Sequence, residues 1–189
     1  MKHLSILLLA VFVHQFSIAQ NSQNKVSIGI SRSFYSSGDI YGNSIYAEYS
    51  KTVTQNISIL SKLRGGYAHE ADENQIFFNH LSNFGLDISA GYNPTNSLFK
   101  RLRVDLGLYL SIQSSTYGTI QQMLNDNHYR LENTTTQSEY TFGLVNAISY
   151  NLYESEKIEL GAKGTAYFDI NSAFGIESWN AGIYIGFKF

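Results

Sequence analysis

The stretch Trp179–Phe189, W-N-A-G-I-Y-I-G-F-K-F, decides the fold. Trp179, Ala181, Ile183, Ile185, Phe187 and Phe189 form one wholly apolar face, and Asn180, Gly182, Tyr184, Gly186 and Lys188 form the other, small or polar. A period of two is that of a β-strand, whose side chains alternate between its two surfaces. This strand therefore divides two unlike surroundings.

The same pair of faces recurs in seven upstream segments. Lys25–Phe34 sets Val26, Ile28 and Ile30 against Ser27, Gly29 and Ser31. Ser44–Val53 sets Ile45, Ala47 and Tyr49 against Tyr46, Glu48 and Ser50. Ile57–Tyr67 opposes Ile57, Ile59 and Leu63 to Ser58, Lys62 and Arg64. Ser82–Tyr92 opposes Phe84, Leu86, Ile88 and Ala90 to Gly85, Asp87, Ser89 and Gly91. The most regular is Leu102–Thr116, with leucines at 102, 106, 108 and 110 alternating with Arg103, Asp105, Gly107, Tyr109 and Ser111. Ser138–Tyr150 is the least regular, because Asn146 falls on its apolar face and Val145 and Ala147 on the other. Ile158–Phe168 sets Ile158, Leu160, Ala162, Ala166 and Phe168 against Glu159, Gly161, Lys163, Thr165 and Tyr167.

The charges on the polar faces decide between architectures. They are Glu48, Lys62, Arg64, Asp87, Arg103, Asp105, Glu159, Lys163 and Lys188. A secreted soluble barrel would turn these outward and bury the apolar faces; a membrane barrel inverts that order. Aromatic residues near the segment ends (Phe34, Tyr67, Phe84, Tyr92, Tyr140, Tyr150, Phe168, Trp179 and Phe187) suit two interfacial girdles. Segment lengths near the roughly 9–11 residues of a tilted spanning strand favour inversion too. The expected fold is all-β: an eight-stranded, antiparallel, up-and-down transmembrane barrel. Eight strands enclose a lumen just wide enough for side chains. The inward charges are thus expected to pair in a plug rather than line a pore, with inward glycines making room for Tyr46, Tyr109, Tyr167 and Tyr184.

The remaining sequence sets bounds. Residues 1–19 read as a secretory signal peptide: Lys2 and His3, then the apolar stretch Leu4–Val13, then the small residues around Ala19 before a cut at Gln20. That leaves 20–189 as one barrel domain. With Lys2 removed, 12 basic residues face 15 acidic ones, a net charge of −3 that argues against nucleic acid. No cysteine is present, so there is neither a disulfide framework nor a thiolate metal site. No cofactor or metal is expected. The gaps Tyr35–Asn43, Ala68–Leu81, Tyr117–Gln137 and Asp169–Ser178 tend to be longer than Thr54–Asn56, Asn93–Arg101 and Asn151–Lys157. Short periplasmic turns and long outer loops would place both termini in the periplasm.

On these alternating segments, the closing strand and the terminal Phe189, the chain resembles the OmpA/OmpX-type family of small eight-stranded outer-membrane barrels. The resemblance covers nearly the whole mature chain and rests on pattern. It implies location in the outer membrane of a Gram-negative bacterium. It also implies contact with outer-membrane lipid and lipopolysaccharide, and recognition by the barrel assembly machinery through the C-terminal strand, with Phe189 as assembly signal. It implies no activity. The expected role is non-enzymatic: membrane integrity, adhesion or binding through surface loops, with the ligand unspecified.

One motif points elsewhere. His80-Leu81-Ser82-Asn83 resembles the His-x-Ser-Asn element of outer-membrane lipid A deacylases, in which the histidine is general base and the serine nucleophile. His80 and Ser82 share the lipid-facing side, but that family carries the motif near its sixth strand, whereas here it opens the fourth segment. Such a pair also needs an acid to orient the imidazole, and Glu70, Asp72 and Glu73 are merely nearby in sequence. With His69 those three acids could alternatively face a divalent cation, though a solvated acidic loop explains them as well.

Overall fold

The structure, a computed structural model, describes residues 24–35, 40–71, 77–94, 99–125, 128–170 and 176–189. The signal-peptide reading of 1–19 and the acids Asp72 and Glu73 lie outside the described residues. Eight strands follow in chain order: β1 (Asn24–Tyr35), β2 (Ile40–Thr52), β3 (Ile57–Ala71), β4 (Phe77–Tyr92), β5 (Leu102–Asn125), β6 (His128–Glu154), β7 (Ile158–Asp169) and β8 (Ile176–Lys188). Each pairs antiparallel with its neighbour, and β1 pairs with β8, so the sheet closes into an up-and-down barrel.

Closure is carried by a continuous ladder from Lys25 opposite Lys188 to Tyr35 opposite Ser178. Below it Asn24 and Phe189 exchange two backbone hydrogen bonds, at 3.0 and 2.9 Å. In hydrocarbon no water can satisfy a backbone N–H or C=O, so a sheet crosses a bilayer only when it has no edge.

The faces are inverted relative to a soluble barrel. Ile28, Ile30, Ile45, Leu106, Leu108, Leu144, Ile148 and Ile183 are exposed on the outer wall, Leu108 by 62%. Glu48, Lys62, Arg64, Asp87, Arg103, Asp105, Glu159 and Lys163 are buried inside. The irregular stretch of β6 obeys the same rule: Asn146 points out, while Val145 and Ala147 are buried in the lumen. Exposed and half-buried aromatics gather near both ends of the wall. Tyr41, Tyr67, Tyr140 and the stacked pair Phe34–Trp179 (centroids 3.9 Å apart) lie toward one end, with Tyr92, Phe99, Tyr150 and Phe187 toward the other.

The two ends differ. At one, Thr54 closes a tight turn by accepting from the Ile57 amide at 3.1 Å, and Ser155 does the same for Ile158 at 3.0 Å. At the other, much of what the sequence suggests as loop is strand. The expected loop Tyr117–Gln137 is corrected most: β5 and β6 stay paired out to Asn125 opposite His128, with three register shifts on the way. Likewise β3 and β4 pair out to Ala71 opposite Phe78, so His80 lies within a strand rather than at its start. The alternation fades there because, beyond the membrane, neither face needs to be apolar: Thr134 through Tyr140 are exposed on both faces. Hydroxyl pairs across β5 and β6 hold the ribbon instead, Thr116 with Thr136 at 2.9 Å and Ser138 with Ser114 at 3.1 Å.

Leu108 faces Leu144 midway along the wall. Replacing Leu108 with Arg should cost roughly 2–4 kcal/mol of folding stability in bilayers. Urea titration of the protein folded into vesicles measures it. A cysteine at the same position should resist a water-soluble maleimide in membranes, and rapid labelling would show the wall to be in water.

Candidate functional site

Strand register builds the lumen. An inward tyrosine from a barrel wall needs space across from it, and glycine supplies that space for three of the four expected; Tyr167 instead lies opposite Val145 and Ser178. Tyr46 lies opposite Gly29, Tyr184 opposite Gly161 and Tyr109 opposite Gly143. A methyl group at Gly29 would sit 2.3 Å from the Tyr46 ring, and one at Gly161 would sit 2.6 Å from that of Tyr184. The rings thus lie flat across neighbouring strands and roof the charges between them.

Those charges fall into three levels. Nearest the short turns, Lys25 pairs with Glu159 at 2.8 Å, and the Tyr184 hydroxyl lies 2.7 Å from the same carboxylate and 2.6 Å from Asn151 Oδ1. The next level is a closed ring of alternating charge. Arg103 bridges Glu48 (2.8 Å) and Asp105 (2.8 Å), and Lys163 bridges the same two carboxylates from the opposite side, lying 3.1 Å from Asp105 and also in contact with Glu48. Two anions and two cations cancel, so this ring carries no net charge of its own.

The third level is built on one carboxylate. Asp87 accepts from Lys62 at 2.6 Å and from the Tyr167 hydroxyl at 2.9 Å, with Arg64 at 3.4 Å. The second cation is accommodated by aromatic faces: the Arg64 guanidinium lies 4.0 Å from the Tyr167 ring centroid and 5.4 Å from that of Tyr109. Tyr109 and Tyr167 meet edge to face, and Tyr109 donates to Asp169 at 2.8 Å. Between these levels and the wall is a cavity of about 10 Å³, lined by Tyr46, Lys62, Arg64, Lys163 and Asn180 among others. That is room for about one water molecule.

Lys188 departs from the expectation that it joins this network. It sits at the rim, where it pairs with Glu154, whose side chain is half exposed. As the penultimate residue it has the parity of the lumen face but not its depth. Lys25 occupies the lumen instead. Its parity with Ser27 and Gly29 was a signal available in the sequence.

His80 lies on the outer wall near the hairpin end. Its Nδ1 is 3.3 Å from the Tyr67 hydroxyl, and the two rings meet edge to face at 4.3 Å. Ser82 is two residues along the same face, directly opposite Tyr67 on β3 and Ser114 on β5. His80 is therefore built into the aromatic girdle beside Tyr67. Of the further residues named with it, the side chains of His69 and Glu70 also lie outside the described set. Phe189 is exposed on the outer wall at the closing seam.

No protein-family model matches the sequence, and no curated protein matches it either. Solved structures do match in three dimensions. Ail, the attachment invasion locus protein of Yersinia pestis, aligns over 90% of this chain and 100% of its own with a TM-score of 0.61 at 8% identity. A major outer membrane protein from Thermus thermophilus aligns over 88% and 99% with a TM-score of 0.54 at 12% identity. Neisserial surface protein A aligns over 89% and 97% with a TM-score of 0.50 at 13% identity. At such identities the likeness is one of fold. With the inverted faces and the closed ladder, it shows that this chain folds as an eight-stranded, up-and-down transmembrane β-barrel, the fold that these solved structures share.

Proposed function

We propose that the protein is a non-enzymatic, non-conducting outer-membrane barrel that binds a partner at the cell surface through its β5–β6 ribbon. Residues 1–19 would direct export, both termini would lie in the periplasm, and the C-terminal strand ending at Phe189 would be read by the barrel assembly machinery.

The ribbon carries the reading. β4 accompanies β5 only as far as Phe77 opposite Thr119, and the ladder between β6 and β7 ends at Gly143 opposite Asp169. Among the described residues no strand pairs with the far side of β6 from His128 to Glu139. An open strand edge presents a row of backbone donors and acceptors to which an extended segment of another protein can add. Its side chains from Thr134 to Glu139 are polar and exposed, which keeps the edge soluble without closing it. A rigid barrel holding such an edge clear of the membrane is a platform for recognition.

The paired lumen supports the non-conducting half. Most of the lumen charges lie in salt bridges, and an eight-stranded ring has an interior just wide enough for side chains, which favours a plug over a pore.

Three outcomes are expected. Glu48→Ala should cost about 3–5 kcal/mol, because Arg103 and Lys163 lose a shared buried partner; a heat-modifiability gel across a urea series reads the loss. The unmodified protein should pass no steady current in planar bilayers, and a stable single-channel conductance would rule out the plug. Deleting Gln121–Thr134 should leave the barrel heat-modifiable while abolishing selection of extended peptides from a displayed random library. Recovery of the same peptides by the deleted protein would remove the ribbon from the binding role, and failure of the deleted protein to fold would make the ribbon structural.

A further inference from the structure

At the short-turn end the lumen opens into a polar cavity of about 140 Å³. Lys25, Ser50, Ser58, Arg103 and Glu159 line it from inward positions on five different strands, so its contents come from water and not from the bilayer. The turn carrying Lys100 and Arg101 borders the mouth. It is held there by backbone bonds: the Phe99 carbonyl accepts from the Leu102 amide at 2.8 Å, and the Arg101 carbonyl accepts from the Asn151 amide at 2.9 Å. Three of the five cations lining the cavity already have partners. Lys25 pairs with Glu159, Lys188 with Glu154, and Arg103 belongs to the neutral ring with Glu48 and Asp105. Among the described residues neither Lys100 nor Arg101 meets a carboxylate, so two positive charges remain over the cavity.

A third group there is unmet, and it has the opposite character. Asn93 lines the same cavity, and its Oδ1 is buried without a hydrogen-bond partner. A buried carbonyl oxygen with no donor is costly. Its backbone holds it in place, because the Asn93 amide donates to the Asn56 carbonyl at 2.8 Å. The site thus presents two cationic donors and one acceptor that lacks a hydrogen. Sulfate answers the first demand and not the second, since it carries no proton. Free phosphate answers both: its ionised oxygens accept from Lys100 and the Arg101 fork, and its remaining hydroxyl donates to Asn93. One water needs about 10–15 Å³ of such space, so the cavity admits a tetrahedral oxyanion together with several waters.

We propose that this mouth is a binding site for inorganic phosphate in its singly protonated form, held by Lys100 and Arg101 and selected by Asn93 Oδ1. The orientation proposed above makes the periplasm the source of the ion; the binding chemistry does not depend on it. The purified barrel in detergent is titrated by calorimetry with inorganic phosphate, sulfate or methyl phosphate at about pH 8 and matched ionic strength. All three are then dianions, but only free phosphate keeps a proton, because the second pKa of a phosphate monoester is about 6. Heat modifiability on a gel checks the fold of each variant.

The wild-type protein should bind one phosphate in preference to sulfate and methyl phosphate. Arg101→Gln should weaken phosphate binding about tenfold, the scale of one charge-assisted hydrogen bond, and Lys100→Gln should weaken it similarly. Both side chains are exposed at the turn, so the barrel keeps its fold. Asn93→Leu should bind phosphate no better than sulfate, with Lys100 and Arg101 intact. Arg32→Gln, at the opposite end of the barrel, should leave binding unchanged. No phosphate binding by the wild type, or equal affinity for the three anions, would overturn the proposal. So would wild-type affinity in both Lys100→Gln and Arg101→Gln, a phosphate preference that survives Asn93→Leu, or an equal loss in Arg32→Gln, which would leave net charge as the whole effect.

Discussion

A backbone amide inside hydrocarbon has nowhere to turn but another backbone, and the rest of this structure follows from that. The ladder between β1 and β8 removes the last two edges of the sheet. Once the ring is shut, every side chain in the spanning region must face lipid or lumen, and strand pleating assigns them alternately. The inverted distribution of charge is therefore a consequence of closure. The outer wall takes Leu, Ile and Val because lipid solvates them, and the lumen receives what lipid would reject.

Closure also sets the problem that the lumen solves. An eight-stranded ring leaves an interior just wide enough for side chains, and a buried charge left unpaired is costly, so the buried charges meet other protein groups. The ring of Glu48, Arg103, Asp105 and Lys163 meets this by strict alternation of sign. Its members come from β2, β5 and β7, which are not neighbours, so the ring ties separate walls together across the lumen. Such a ring adds little net stability over a well-packed apolar core, yet breaking it at one member is expensive because the others remain buried. Its contribution is then mainly to the register of the walls that it joins.

Much of the fold was legible in the sequence for the same reason. Lipid and lumen differ so strongly that residues 102–112 alternate almost without exception, and the sense of alternation distinguishes a membrane barrel from a soluble one. Legibility ends where the membrane does. Residues 134–139 show no apolar period because both faces of the ribbon meet water there, and the force that holds them paired is backbone hydrogen bonding and hydroxyl contacts, to which hydrophobic patterning is blind. Partners within the lumen were illegible in another way. Parity states which side of the wall Glu48 occupies, but its partners Arg103 and Lys163 lie 55 and 115 residues away. That pairing depends on strand tilt and register, which local sequence does not encode. Depth was equally hidden: Lys25 and Lys188 sit directly opposite one another on β1 and β8, yet one reaches Glu159 in the lumen and the other turns to Glu154 at the rim.

The two ends of the barrel are under different demands. At the short-turn end, Thr54 and Ser155 cap two tight turns, and Asn24 and Phe189 pair the backbone at the seam. At the other end β5 and β6 run on past all their neighbours, although nothing in the bilayer requires it. Among the described residues the far part of this ribbon pairs only between its own two strands, and the barrel supplies one end already in register. Nearest the barrel its open edge is tolerable because the side chains from Thr134 to Glu139 are polar and exposed, so that part offers hydrogen bonds without an apolar surface to drive indiscriminate association. The spanning region is therefore constrained by lipid almost residue by residue. The ribbon is constrained by little more than pairing, which makes it the part of the molecule where sequence can change for the sake of recognition without loss of the fold.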